Sequence, residues 1–370
     1  MNMQPVQAPT RKSLNLLSRL LIPSMQPSSA LATAALELKR EVLSLSRVDF
    51  EDMLELANSN HVAVRGLESF LSLVGEEGVE IREWATQALS NERARIETAI
   101  GYLTDIRHSF EKRGFRVAVI KSLDHWPDLG SDLDLFTDES GERVIDLMRE
   151  QFNATIASRS WGDRLASKWN FAIPGLPELV EVHVGRLGQT GEQGAIASSL
   201  INRSRMVVVG GQTFRLASVS DRLMISTLQR MYRHFYFRLC DIVDTAALSD
   251  TDSIDFDNLR TCASDAGIWE GVATYLLIVS DYVKKYRGSG LDLPQYVRNS
   301  ARFAEDVVFY ARGFIRVPIM PQSVRLYSSQ LAGVFRRGQL HNGARLSLLP
   351  WLATAAVVGQ KITGSDKGIW

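Results

Sequence analysis

Asp132 and Asp134 stand two residues apart in Asp-Leu-Asp-Leu-Phe, a strict alternation of acidic and apolar side chains. On a strand this spacing projects both carboxylates from one side, with Cα atoms roughly 6.6 Å apart, while Leu133 and Leu135 enter a core. Paired carboxylates on a rigid strand suit hard divalent cations such as Mg²⁺ or Mn²⁺. A third acid is expected from a neighbouring strand. Glu181 fits, because in Leu-Val-Glu-Val-His it alternates with Val180 and Val182, and His183 shares its side. Three such acids can hold two ions roughly 4 Å apart for in-line phosphoryl displacement, one activating an attacking hydroxyl and the other carrying a triphosphate. Lys121 and Ser122 follow a short apolar run. They are expected at a strand-to-helix turn, where ammonium, hydroxyl and backbone N–H groups grip β- and γ-phosphates, and Ser131 adds a hydroxyl just before the acidic strand. Each feature has a plainer reading: a solvated Asp-x-Asp strand, a surface Glu181, a structural His183, a lysine that merely ends a strand.

The elements that must position these residues are legible in the hydrophobic period. Residues 30–112 read as helices. The last of them is expected to be capped by Ser90 or Asn91, to carry Ile96, Ile100, Leu103, Ile106 and Phe110 on one face, and to stop at Gly114. At that glycine the period changes to that of strands, predicted at 115–120, 132–136, 168–173, 179–184, 206–209 and 213–216, with a helix from about Ser140 and a hairpin turn at Gly210-Gly211. From Ser220 the chain reads as helical again, Ser220-Asp221 being the expected cap. His234, Arg238 and Asp241, at spacings of four and three, then fall on one helix face, expected either to wall the cleft opposite the carboxylates or to form an exposed ion-pair stripe.

At these residues the chain resembles the nucleotidyltransferase superfamily, with its DNA polymerase beta-like fold. Lys121-Ser122 occupies the Gly-Ser phosphate loop, Asp132 and Asp134 the Asp-x-Asp strand, and Glu181 the third carboxylate. More narrowly it is similar to an uncharacterised bacterial nucleotidyltransferase family. That family has helices before the core, a Leu-Lys-Gly loop, an Asp-x-Asp strand, an acid-x-His strand, and a later helix carrying His and Arg before Asp-Ile, here Ile120-Lys121-Ser122, Asp132 and Asp134, Glu181 and His183, and His234, Arg238 and Asp241-Ile242. The resemblance covers residues 30–248. It implies transfer of a nucleoside monophosphate from an NTP to an acceptor with release of pyrophosphate, using Mg²⁺ or Mn²⁺ at Asp132, Asp134 and Glu181. Ser122 stands where that family has Gly, and Glu181 where it has Asp. These departures motivate one alternative, a catalytically impaired nucleotide-binding module; a second, a metal-dependent phosphohydrolase, follows because two metals can also deliver water.

Around that centre the expected architecture is α+β: a flexible N-terminus at 1–29, a helical region at 30–112, a small mixed-sheet core at 113–217, and a C-terminal helical region at 218–370. Equal numbers of basic and acidic residues, 42 each, argue against a general polyanion binder. Two cysteines, Cys240 and Cys262, are too few and too far apart for a disulfide framework or a thiolate zinc site. The reading is a cytoplasmic protein without a membrane span, since no apolar stretch approaches the roughly 18 residues a span needs. The acid-free first 36 residues suit a frayed bacterial terminus with a short amphipathic helix at 14–21, or a transit peptide. Residues 307–365 hold no acid and seven Lys or Arg, interleaved with aromatics. That composition suits RNA or a membrane surface, the latter through 346–358, or else helices that cover the sheet. The acceptor stays open: a sugar phosphate, another small molecule, a peptide, a protein or RNA.

Overall fold

The computed structural model describes residues 11–24, 28–352 and 355. Strand β1 (Val117–Val119), β2 (Asp132–Thr137), β3 (Thr155–Ile156), β4 (Lys168–Ala172), β5 (Leu179–Val184), β6 (Arg205–Val209) and β7 (Gln212–Leu216) form one mixed sheet in the order β3-β4-β5-β2-β1-β7-β6. A second, three-stranded sheet joins β8 (Tyr236–Phe237), β10 (Phe314–Arg316) and β9 (Phe309–Ala311). Helices flank the larger sheet on both sides in sequence, so the fold is α+β with helical flanks, as the patterning implied.

The register at the centre of the sheet follows from side-chain alternation. β2 and β5 run parallel, with Asp134 opposite Glu181 and Leu133 opposite Val180. Leu133, Leu135, Val180 and Val182 are buried, which leaves the acids to the other face. β4 returns antiparallel to β5 and sets Lys168 beside His183 and Asn170 beside Glu181. The β6–β7 hairpin turns at Gly210 and Gly211, with φ of +57° and +76°, a pair of left-handed residues that only glycine adopts without strain.

One 34-residue helix, Val79–Lys112, lies against β1 and β7. It does not begin at Ser90 or Asn91, which sit in its interior. Ile81, Ala85 and Leu89 extend the buried stripe one register earlier, and the Asn91 side chain accepts from Gln87 Nε2 at 2.8 Å instead of capping a backbone. Gly114, at φ +76°, ends the helix as expected. The later helix Val219–Thr227 is capped by Ser218 rather than Ser220, and Asp221 turns inward to pair with Arg203.

The short amphipathic helix expected at 14–21 is present, but it is packed rather than frayed. Within 1–29, helix Arg11–Leu21 is part of the core, with Leu14, Leu16, Leu17 and Leu20 buried against helices Arg47–Ser59 and Ala63–Val74. Ser18 Oγ lies 2.7 Å from the Tyr282 hydroxyl in helix Trp269–Arg287, so the first and last helical regions meet directly. An amphipathic stretch too short to be stable alone becomes ordered once its leucine face has somewhere to go. In the basic stretch Arg312, Arg325, Arg336 and Arg337 are exposed, whereas two arginines are engaged within the protein. Arg345 donates to the carbonyls of Leu165 and Thr190, and Arg316 donates to Ala311 O while lying over the Tyr236 ring. Most of 346–358 from residue 353 onward, together with Lys361, lies outside the described residues. Among the described residues no helix is long and apolar enough to cross a membrane.

Leu17 is fully buried. Leu17→Ala is therefore expected to lower unfolding free energy by about 2–5 kcal/mol in urea titrations, the cost of a core cavity. A change within ~0.5 kcal/mol would return helix Arg11–Leu21 to the status of a dispensable terminus.

Candidate functional site

The acidic centre is built from three strands and one strained turn. Asp134 is 8% exposed and shares its patch of sheet with Glu181 and His183. His183 Nε2 lies 2.8 Å from Glu181 Oε1 and 3.5 Å from Asp134 Oδ1. Buried like charges need counterions, and the chain provides two. The Lys121 ammonium bonds to Asp134 and approaches Glu181 at 3.3 Å, and the Lys168 ammonium bonds to Glu181 Oε2 at 2.7 Å and to Asp163 Oδ1 at 3.2 Å. Burial by itself disfavours the Glu181 charge, but Lys168 and Lys121, then His183, overrule it and hold its carboxyl well below the usual range. Burial likewise works against the Lys121 ammonium, and Asp134 and Glu181 raise its pKa in spite of that.

Lys121 reaches this position through its backbone. With φ +60° and ψ −61°, and Ser122 N donating to Ile120 O at 2.6 Å, it centres a γ-turn, a conformation that costs a residue with a Cβ on the order of 1–3 kcal/mol. The turn folds the side chain back onto β2. Its charge is thus committed to the carboxylates, not left free for phosphate as the spacing suggested. Ser122 is likewise engaged within the protein. Its hydroxyl donates to Asp132 O at 3.1 Å and accepts from Asp134 N at 2.7 Å, so it staples the turn to β2 while lining the cleft.

Asp132 stands at the mouth of the site, with the Ser131 hydroxyl 3.5 Å from its Oδ2. Crowding by protein, and then the charges of Asp134 and Glu181, push its carboxyl up to about 6 despite Lys121 and Lys168. Of the three acids, Asp132 is the one whose charge the lysines least offset.

The cleft that the acids line also carries cationic side chains. It holds about 200 Å³ and is lined by Asp132, Asp134, Glu181, Arg230, Arg233, His234 and Arg238, among others. It shares His61, Gly130 and Ser131 with a neighbouring hollow of about 320 Å³. His234, Arg238 and Asp241 are not on one helix. Helix Val219–Thr227 widens into a π-helical turn, Leu228–Arg233, after which Phe235 at φ +56° reverses the chain into β8 and a new helix, Leu239–Asp250, begins. The break brings His234 and Arg238 to the cleft by another route and takes Asp241 away from it. Asp241, 3% exposed, pairs with buried Arg230 at 2.7 Å and accepts from Arg238 N at 2.7 Å. Arg238 Nε is buried and has no partner among the described residues. Burial, then Arg233, Arg230 and Arg238, hold His234 well below its ordinary pKa, as a neutral imidazole.

Sequence reasoning missed Lys168 and Asp163, although alternation along β4 already put Lys168 on the same face as Asn170. It also missed Arg230 and Arg233, because a π-turn has no periodic signature. No protein family and no curated protein matches this chain in sequence.

Breaking the Arg230–Asp241 pair leaves a buried unpaired charge, so Asp241→Asn is expected to cost about 3–5 kcal/mol of stability. Thermal and denaturant unfolding would register it. A variant as stable as the parent, with weakened ligand binding instead, would place Asp241 back among the substrate contacts.

Proposed function

We propose that this protein is a metal-dependent nucleotidyltransferase, moving a nucleoside monophosphate from an NTP to an acceptor with release of pyrophosphate. The observation that carries the reading is the meeting of two unlike sets of side chains in one cleft, the acids Asp132, Asp134 and Glu181 and the groups Arg233, Arg238 and neutral His234. A metal-chelated triphosphate has the complementary distribution of charge. The two adjoining hollows together reach the size range of small-molecule sites.

The donor set fits a divalent ion. Ligand atoms of Asp134, Glu181 and His183 lie within 4.8 Å of one another, and the under-compensated Asp132 carboxylate stands beside them on the same strand. Asp132 and Asp134, with Glu181, would hold Mg²⁺ or Mn²⁺. Such an ion supplies charge neutralisation at the triphosphate and at the developing pyrophosphate. The chain's own residues do the rest. The unpaired Arg238 guanidinium meets phosphate oxygens in a planar fork. Ser122 fixes the carbonyl of Asp132 and the N–H of Asp134, so the two carboxylates keep their spacing. His234, uncharged, can donate one hydrogen bond to substrate without adding to the positive wall.

A second reading, a nucleotide-binding module without turnover, is favoured by Lys121, whose ammonium lies among Asp134, Glu181 and His183, where a cation would be bound. Incubation with labelled NTPs, Mn²⁺ and a cell extract separates the possibilities. Label on an acceptor marks a transferase, label in released nucleotide marks a hydrolase, and tight binding without either marks the module.

With transfer established, Asp132→Asn and Asp134→Asn should each lower turnover at least ~100-fold, and the exposed Asp132 variant should unfold close to the parent. Wild-type turnover in either variant would remove that residue from the site. Arg238→Lys keeps the charge and loses the fork, and is expected to weaken binding of a non-hydrolysable NTP about tenfold by calorimetry, roughly 1.4 kcal/mol. Unchanged affinity would mean that Arg238 does not meet the phosphates.

A further inference from the structure

Beyond the carboxylates, at the seam where the N-terminal helices meet the core, a second set of ligand-type atoms converges. His61 follows helix Arg47–Ser59 in a left-handed conformation, φ +54°. Beside it Asn60 is used as a splice. Its Oδ1 accepts from Leu239 N at 2.9 Å, its carbonyl accepts from Cys240 N at 3.2 Å, and its Nδ2 donates to Gly313 O at 3.1 Å. These bonds fasten the turn to the start of helix Leu239–Asp250 and bring His61 to Cys240. His125 arrives from the short 3₁₀ turn Ser122–His125.

A nitrogen of each histidine and Cys240 Sγ all lie within 4.8 Å of one another, with His125 Nε2 3.7 Å from the sulfur. His125 Nδ1 is bonded to Asp244, which leaves Nε2 to face the thiol. A carboxylate orients a metal-binding imidazole in just this manner. Asp244 is anchored in turn by Arg65, which bonds to Asp128 as well. His61 Nδ1 is buried and has no partner among the described residues. A buried imidazole nitrogen left without a bond is costly unless something else is meant to meet it.

We propose that His61, His125 and Cys240 form a site for one divalent transition ion of the zinc class, with a fourth position open to the cleft that His61 and His125 line. Two imidazoles and a thiolate are borderline-to-soft donors, which select Zn²⁺ over Mg²⁺. Tetrahedral Zn²⁺ separates its ligand atoms by about 3.4–3.8 Å; His125 Nε2 and Cys240 Sγ already stand 3.7 Å apart, so closure falls to the His61 side chain on its turn. On binding, the Cys240 thiol gives its proton to solvent and its sulfur becomes the third ligand. The site shares no ligand with the Asp132, Asp134 and Glu181 centre, although both open on one cleft, and it does not depend on the nucleotidyl-transfer reading.

The test uses the full chain, stripped with a chelator and titrated with Co²⁺ as a spectroscopic stand-in for Zn²⁺. A thiolate-to-cobalt charge-transfer band should saturate at about one equivalent, be erased by Zn²⁺, and be indifferent to excess Mg²⁺. Cys240→Ser should abolish the band, Asp244→Asn should weaken binding about 10- to 100-fold, and Asp134→Asn should leave the band unchanged. His61→Asn, a residue that tolerates the left-handed turn, serves as the folded control. It should unfold like the parent in chelator yet bind Co²⁺ at least tenfold more weakly. No band in the parent, a band surviving Cys240→Ser, loss of the band in excess Mg²⁺, or unaltered affinity in folded His61→Asn would each overturn the proposal.

Discussion

Repulsion between Asp134 and Glu181 is the constraint around which the centre of this molecule is arranged. Parallel pairing of β2 and β5 sets the two carboxylates side by side, with Asp134 buried and Glu181 half-buried. At ~4 Å and an effective dielectric of ~20, two like charges repel by about 4 kcal/mol, a sizeable share of a domain's net stability. The chain answers with cations from two directions, Lys168 along β4 and Lys121 from the γ-turn after β1. The strained backbone at Lys121 makes sense in that light. A residue held in an unfavourable turn persists because the ammonium it delivers relieves a larger electrostatic penalty. Ser122 then ties the turn to β2, so the conformation of the loop and the spacing of the acids are one structural unit.

The cationic side chains of the cleft are governed by the same rule with the signs exchanged. Arg230 is buried and needs an anion, which Asp241 supplies from the first turn of helix Leu239–Asp250. The same carboxylate accepts from the Arg238 backbone, so one acid both compensates a buried guanidinium and caps the helix. Arg238 is left with an unpartnered Nε at the cleft and His234 with no charge. A wall that has satisfied its interior and kept one guanidinium in reserve is suited to an incoming anion.

The seam between the helical regions and the sheet is polar where a simple packing interface would be apolar. Asp128 accepts from Val64 N and Arg65, Arg65 reaches Asp244, and Asp244 bonds to His125. Through this chain of contacts the start of helix Ala63–Val74, the 3₁₀ turn and helix Leu239–Asp250 are held in one geometry. Every member of it is ionisable or hydrogen-bonding, so an error in any one leaves a buried group unsatisfied. Such networks specify a unique arrangement more strongly than they add stability.

Local pattern in the amino-acid sequence by itself determined six strands of the larger sheet, but not the short β3 or the second sheet of β8, β9 and β10. It also determined the face on which Asp132, Asp134 and Glu181 project, and the glycines that end the long helix and turn the β6–β7 hairpin. These are local effects of pleat, twist and backbone freedom, and they do not need the rest of the molecule. The resemblance to nucleotidyltransferases rested on the same local signals, and the three acids it singled out share one patch of sheet with His183. Only the tertiary structure decided where charges were spent. Lys121 and Ser122 were placed correctly beside the acids, but their bonding partners lie on β2 and β5, and no local rule reveals that the ammonium is needed to quiet a buried carboxylate pair. The break after Thr227 was invisible because a π-turn followed by a left-handed Phe235 is stabilised by what surrounds it, not by propensity. His61, His125 and Cys240, separated by up to 179 positions between Asn60 and Leu239 where the splice is made, meet only because long-range hydrogen bonds bring their elements together. Proximity across such distances is a property of the packed fold, since the burial that selects it exists only when all the elements are present.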